Sequence, residues 1–328
     1  MSSIPLQSLI AEDIQSYLDY KRALGRKFIT EAGALHLLDR FLRESAIADH
    51  AALTPYLIDS FLASRPRSRP RSFNHLLSVL RCFFSWLVRQ GRLTLSPVRT
   101  RPRPSSRRLP FLFRPEEVWR LLTAAAQLPD NSRASHRGAV YSLIFRLMYS
   151  LGLRVGEITR LCHQDVDRDR RLLVIRETKF GKSRLVPFGP KVGEHIEAYL
   201  TQRITWYGPW QPDDPLFAFS NGHKAPLWPE TVSQTFHHLL PKLGLRASPD
   251  TASPCLHCLR HSFAVQTLLG WYRSGIDPGK RLLHLSTFMG HCDPASTSWY
   301  LTITDELLAE ANHRFEHLVE TISREVSV

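Results

Sequence analysis

The sequence predicts a mainly α protein in two parts: a helical bundle first, then an α+β half with a small antiparallel sheet. Three observations point there. Amphipathic runs at helical spacing fill residues 6 to about 96, an arginine- and proline-rich stretch interrupts the chain at 98–110, and two β-branched runs flanking a glycine stand alone among the helical patterns that follow. At 328 residues the chain is long enough for two cores. A hydrophobic content of 43% with 22% charged residues describes a globular protein, not a disordered one.

The first helix is expected over Ser8 to Ala23, where Leu9, Ile14, Tyr17, Leu18 and Ala23 recur at roughly helical spacing. A second, about Ala32 to Glu44, places Leu35, Leu38, Phe41 and Leu42 on one face. Thr54 reads as an N-cap, with Pro55 at the first position of a third helix ending near Ala63. The run Arg65-Pro-Arg-Ser-Arg-Pro-Arg71 reads as a basic turn, too proline-rich for a helix. A fourth helix, Ser72 to Arg89, presents Leu76, Leu80, Phe83, Phe84 and Leu87 and stops before Gly91. The expected layout is a helical domain over 1–97, a basic linker over 98–110 and a second domain over 111–328. Prolines keep the linker extended, and its arginines (Arg99, Arg101, Arg103, Arg107, Arg108) repel one another. Such a segment is either an ordinary solvated connection or a strip that follows a phosphate backbone.

In the second half, Arg114-Pro-Glu-Glu opens a helix with carboxylates in its first turn, where they suit the helix dipole. A long helix follows from about Arg137 to Ser150. Arg171 to Glu177 and Ser183 to Pro187 read as a hairpin with Gly181 at the turn. Further helices are expected at about 191–203, 229–243, 257–270, 280–289 and 304–322. The last carries an apolar stripe (Leu307, Leu308, Ala311, Phe315, Leu318, Val319) suited to packing on its own domain.

Charge narrows the function classes. The net charge is +13, and a basic chain of this size points to nucleic acid, because each neutralised phosphate releases a counterion. No stretch approaches ~18 uninterrupted apolar residues, so no membrane partner is expected. The opening Met-Ser-Ser-Ile-Pro lacks the basic-then-apolar pattern of a secretion signal. Five scattered cysteines (Cys82, Cys162, Cys255, Cys258, Cys292) read as reduced thiols in a cytoplasmic protein.

The chemistry lies in a few short motifs. Arg154 stands in Leu-Gly-Leu-Arg-Val-Gly-Glu, with Glu157 three residues on and on the same helix face; alone this is a surface ion pair. Lys179 stands in Thr-Lys-Phe-Gly-Lys-Ser-Arg at the hairpin tip, beside Lys182 and Arg184; alone this is a solvated charge cluster. His257 and Arg260, in His-Cys-Leu-Arg-His, are spaced i,i+3 and can face one anion. His291 follows in Met-Gly-His, and Tyr300 comes nine residues later. Cys255, His257, Cys258 and His261 also suggest zinc, but structural zinc sites pair ligands across a longer loop, and no metal is expected. Two arginines, a lysine and two histidines converging on one tyrosine make a cationic pocket around a nucleophile, as attack on a phosphodiester requires.

Together these pieces resemble the tyrosine recombinase (phage integrase) family. The resemblance covers most of the chain, and Leu-Gly-Arg-Lys-Phe (24–28) is similar to that family's helical core-binding domain. It implies that Tyr300 attacks the scissile phosphate to give a 3′-phosphotyrosyl bond, gripped by Arg154 and Arg260. His291 would donate to the same phosphate, and His257 would assist proton transfer at the tyrosine. Lys179 would protonate the leaving 5′-oxygen, with Lys182 as the competing lysine, and Glu157 would support the site. No cofactor, metal or ATP is implied. The implied function is site-specific recombination of double-stranded DNA through a Holliday junction, by a tetramer on paired sites, serving a mobile element alone or with related recombinases. The resemblance also implies that the last helix docks in trans onto a neighbouring protomer and so couples active sites in the tetramer. Tyr300-Leu-Thr-Ile-Thr departs from the family's frequent Tyr-Thr-His and looks closer to recombinases of transposable elements. DNA contacts are expected from Arg65, Arg67, Arg69, Arg71, the five linker arginines and Lys182. A type IB topoisomerase-like relaxing enzyme and a non-catalytic DNA-binding relative are the alternatives.

Overall fold

The computed structural model describes residues 5–47, 49–105, 108–176, 183–219, 226–245, 248–291, 293–302, 307–310 and 312. The chain folds as two units, Met1–Arg107 and Arg108–Val328.

The first unit holds four main helices: α1 (Ala11–Ala23), α2 (Ile29–Glu44), α3 (Pro55–Ala63) and α4 (Pro70–Arg89). Their apolar faces meet around Tyr17, Leu38, Phe61, Phe83 and Phe84, with Tyr17 edge-on to Phe83 at 5.3 Å. Thr54 caps α3 as expected, its Oγ1 accepting from the Leu57 N–H at 3.3 Å. α4 opens two residues before Ser72, because Pro70 takes the first helical position. A proline there has no N–H to leave unpaired and a φ already suited to the helix, so it starts the element it would break elsewhere.

Residues 98–105 carry no helix or strand, in keeping with their prolines, yet they are fastened to this unit. Arg81 Nη2 donates to the Thr100 carbonyl at 2.5 Å, and Thr100 Oγ1 donates to Asp59. Asn74 and the backbone of Arg103 exchange two hydrogen bonds of 2.7 and 2.8 Å. The Arg103 guanidinium lies 3.9 Å over the Phe73 ring and donates to the Arg67 carbonyl. The start of the expected linker is therefore docked, not free in solvent.

The second unit runs α5 (Pro115–Ala126), α6 (Arg137–Leu151), α7 (Val155–Ile158), β1 (Val166–Asp167), β2 (Leu172–Ile175), β3 (Arg184–Pro187), α8 (Pro190–Tyr207), α9 (Pro229–Leu239), α10 (Leu256–Arg273), α11 (Pro278–Met289) and α12 (Ala295–Ser298). A 3-10 turn, Trp299–Thr302, follows. The strands form an antiparallel sheet in the order β1-β2-β3, with Leu173 opposite Val186 and Ile175 opposite Arg184. The expected hairpin is present as β2 and β3; its tip, with Lys179, Gly181 and Lys182, lies outside the described residues. β1 was not expected, since two residues carry no readable alternation.

α6 is central, burying Tyr141, Ile144, Phe145, Leu147 and Met148 against α5, α8 and α10. It ends at Gly152, whose φ of +60° is left-handed and whose added Cβ would lie 2.5 Å from the Phe263 ring. Gly152→Ala should therefore cost about 1–3 kcal/mol. A urea midpoint equal to the parent's would contradict this.

A second, smaller core gathers Val265, Leu268, Leu269, Leu285, Met289, Tyr300 and Leu307. Of the apolar stripe expected near the C-terminus, Leu307 is buried in this core and Leu308 is exposed, while Ala311, Phe315, Leu318 and Val319 lie outside the described residues.

Candidate active site

The site begins with one carboxylate. Arg154 is the N-cap of α7, and its backbone N–H donates to Glu157 Oε2 at 3.0 Å while its Nη1 donates to Oε1 at 2.8 Å. Arg184 approaches from β3 and closes a fork on the same group, Nη1 to Oε1 and Nη2 to Oε2, both at 2.9 Å. Glu157 is only 4% exposed, so this is no surface pair. Burial alone would raise its pKa, but the Arg184 fork and Arg154 outweigh that and hold it at about 2.

Arg260 enters from α10 and is 1% exposed. Its Nη1 donates to the Gly152 carbonyl and its Nη2 to the Met289 carbonyl at 2.7 Å. Arg154 reaches the same end of α11, 3.4 Å from the Met289 oxygen and 3.2 Å from that of Gly290. Free carbonyls at a helix C-terminus carry the negative end of the dipole, which is why cations collect there. Burial first, and then Arg154, pull Arg260 down to about 9. Gly290 has φ +69°, and a Cβ on it would sit 2.7 Å from Arg184 Nη1, so the glycine of Met-Gly-His leaves room for the fork.

The imidazoles come next. His291 Nδ1 pairs with Thr297 Oγ1 at 2.6 Å, and the His291 ring lies parallel to that of Tyr300 at 6.5 Å. His261 Nδ1 pairs with the Tyr300 hydroxyl at 2.7 Å. His257 packs edge-on against His261 at 4.6 Å. Burial, followed by neighbouring positive charge, lowers His261 to about 3 and His291 to about 4. His257 opens to solvent on one side, yet the protein packed round its base, with Arg260 and Arg154, lowers it to about 4 as well. All three rings are therefore neutral at pH 7. Tyr300 sits in the 3-10 turn at 2% exposure; burial raises its hydroxyl to about 12 against the pull of Arg260 and Arg154.

These shifts predict acid sensitivity. The three histidines titrate at 6.5 when unperturbed, so below that pH the unfolded chain binds more protons than the folded one. Their contribution to stability falls as pH drops from 6.5 towards 4, and Glu157 adds a further loss between its ordinary 4.5 and 2. The urea midpoint should decline progressively over that window; a midpoint that rises on acidification would contradict the assignment.

Of the residues singled out in the sequence, Arg154, Glu157, His257, Arg260, His291 and Tyr300 come together, and Lys179 and Lys182 lie outside the described residues. The ring that touches the Tyr300 hydroxyl is His261, whereas His257 stands behind it. Arg184 and His261 were not expected in the site. A signal for Arg184 existed: it is two residues from buried Val186 on β3, so strand alternation turns it inward with that residue. Thr297, which holds His291, had no such signal. His261 is engaged with Tyr300, Cys255 and Cys258 contact each other, and among the described residues no group of three or more His, Cys, Asp or Glu is arranged to hold a metal.

The basic residues expected to meet DNA are distributed unevenly. Arg69, Arg71, Arg99, Arg101 and Arg108 are exposed; Arg65 and Arg67 are half-buried, with Arg67 donating to Ser72; Arg103 is fastened as described; and Arg107 lies outside the described residues. No described helix is long and apolar enough to cross a membrane.

A phenol set among guanidinium groups and imidazoles is the equipment of an enzyme that handles phosphodiesters. Comparison with known proteins makes the class specific. The phage integrase family profile matches residues 112–306. The protein y4rB of Sinorhizobium fredii (strain NBRC 101917 / NGR234), named an integrase/recombinase, is 34% identical over 315 residues, covering 94% of this chain and 98% of its own. The tyrosine recombinase XerD of Caulobacter vibrioides is 30% identical over 307 residues, 92% of each chain. Among solved structures, the Tn1549 transposon integrase in complex with transposon right end DNA aligns with a TM-score of 0.67 at 16% identity, over 94% of this chain and 99% of that one, which is a likeness of fold. The chain belongs to the phage integrase family, the tyrosine recombinases.

Proposed function

We propose that this protein recombines double-stranded DNA at specific sites on behalf of a mobile element, with Tyr300 as the nucleophile. The observation that carries the proposal is the convergence of Arg154 and Arg260 on the Met289 carbonyl while Tyr300 packs on the same helix end. On binding a scissile phosphate, both guanidinium groups exchange carbonyl oxygens for non-bridging phosphate oxygens, a planar fork being better suited to this than a lysine. Tyr300 Oη forms the bond to phosphorus, and the 5′-oxygen leaves with a proton from Lys179. A phenol raised to about 12 needs a proton acceptor; neutral His261 is in contact and His257 stands next in line. His291, held by Thr297, donates to the phosphate, and Glu157 with Arg184 fixes the direction of Arg154. The phosphotyrosine keeps the bond energy for rejoining to a second strand.

DNA as partner is supported by similar folds solved on DNA, among them XerH bound to a palindromic difH substrate and a lambda integrase dimer bound to a core site. A tetramer on paired sites, in the cytoplasm, is the assembly that strand exchange requires, and the helical unit supplies core-site binding. The exposed Arg69, Arg71, Arg99, Arg101 and Arg108 give the phosphate contacts. At about −0.9 per phosphate, five such contacts predict a log–log salt slope of roughly −4 or steeper. Replacing Arg99 and Arg101 by alanine should flatten it by about 2. A slope near zero would remove these arginines from the interface.

The deciding test is covalent capture. The protein and its Tyr300→Phe variant are expressed beside the DNA flanking the gene, purified under denaturing conditions, and any attached DNA is sequenced. DNA on the parent alone, ending at one position, is the expected result. Scattered ends would replace recombination with topoisomerase-like relaxation, and the absence of linked DNA would leave a non-catalytic binder or an enzyme that waits for a missing partner.

A further inference from the structure

Cys255 and Cys258 have no part in the reaction above, yet they are placed for chemistry of their own. The segment Cys255-Leu256-His257-Cys258 crosses the N-terminus of α10, with Cys255 as the capping residue and Cys258 in the first turn. The two sulfurs lie 3.3 Å apart, and the Cys255 N–H donates to Cys258 Sγ at 3.4 Å. A disulfide needs about 2.05 Å, so a closure of little more than one ångström in that first turn would join them. The thiols are unequal. Cys255 is partly exposed, and its contact with Cys258, together with the N–H groups of Cys258 and His257, lowers its pKa despite its burial. Cys258 is 2% exposed, and its hydrogen bond to Cys255 and its burial push it upward. An accessible thiolate at a helix N-terminus backed by a buried thiol is the division of labour that thiol–disulfide exchange uses. Cys82, by contrast, is exposed in the other unit.

We propose that Cys255 and Cys258 form a thiol–disulfide exchange site whose co-substrate is a low-molecular-weight disulfide, and that the oxidised form displaces His257. The Cys255 thiolate attacks one sulfur of the small disulfide, forming a mixed disulfide and expelling one thiolate. Cys258 then gives up its proton and attacks Cys255 Sγ, forming the internal S–S bond and expelling the second thiolate. The protein loses two electrons and two protons; the small disulfide becomes two thiols. His257 lies between the two cysteines in the chain and packs against His261, which holds Tyr300, so tightening the turn moves this ring pair. The exchange site stands without the recombination reading; only its consequence for DNA capture rests on it. A displacement of about one ångström beside a reacting group typically costs on the order of 10²-fold in rate.

The full-length protein is equilibrated with mixtures of oxidised and reduced glutathione, alkylated and peptide-mapped. A Cys255–Cys258 disulfide with Cys82 and Cys162 still alkylated is expected. Cys258→Ala should stop at a glutathione adduct on Cys255, and Cys255→Ser should form neither product. Cys255 and Cys258 alkylated at every mixture, or modified no more readily than Cys82, would overturn the site. In the same samples the imidazole signal of His257, followed by NMR on histidine-labelled protein, should shift on oxidation in the parent and not in Cys255→Ser; an unmoved signal would overturn the displacement. Oxidation should also lower covalent DNA capture by about 10²-fold, reversibly with dithiothreitol. Absence of capture by the reduced protein would defeat the Tyr300 reading while leaving the disulfide mapping to decide the exchange site.

Discussion

Tyr300→Phe is expected to lower covalent DNA capture by roughly 10⁵–10⁶-fold, the scale reached when a covalent nucleophile is deleted. The substitution removes a single oxygen. The ring stays in the core with Val265, Leu269 and Met289, so the fold survives; the lost hydrogen bond to His261 costs about 1 kcal/mol. DNA affinity, which the proposed function assigns to the arginines, should be nearly unchanged. Denaturing pull-down followed by a gel-shift assay separates the two quantities. A variant that loses capture and binding together would point to a structural tyrosine and against a nucleophile.

Glu157→Ala should show the largest stability effect, about 3–5 kcal/mol, because it strips the shared carboxylate from two guanidinium groups. The Arg184 side chain is 9% exposed and cannot turn to water without abandoning the Phe288 carbonyl. At 2–4 °C per kcal/mol the melting midpoint should fall by roughly 10 °C. Glu157→Gln keeps oxygen and shape and should cost less. The double variant Glu157→Ala, Arg184→Met should recover part of the loss, since removing both charges spares the uncompensated cation. A single variant that melts with the parent would show that the three-residue cluster contributes nothing.

The helices were legible wherever one chain segment carries its own explanation. Thr54 with Pro55, the spacing of Leu76 to Leu87, and the carboxylates after Arg114 each declare a helix without reference to any distant residue. Pro70 was misjudged because a proline breaks a helix in its interior but opens one at its first position, and the basic run around it does not say which position it takes. The site was legible as a set of motifs but not as a wiring diagram. Glu157 meets Arg184 across 27 residues and Arg260 meets Gly152 across 108, and nothing in either motif states its partner. His257 and His261 stand one helical turn apart on α10; which of them touches the hydroxyl depends on that turn and on the 3-10 turn that presents Tyr300. Arg184, inside a run of basic residues, passed for surface charge because alternation over a four-residue strand is a faint signal.

The concealment of Tyr300 has a bearing on how such a protein lives beside a chromosome. A chain of charge +13 settles on DNA of any sequence, and in a cell the wrong sites outnumber the right one by many orders of magnitude. A phenol that is shut in a core, protonated to about pH 12 and tied to an imidazole is inert through all those encounters. On the proposed function, sliding along DNA would therefore leave no scars. On the proposed reaction, fidelity is enforced before any bond is cut, since only an encounter favourable enough to draw the tyrosine from its shelter can proceed to breakage.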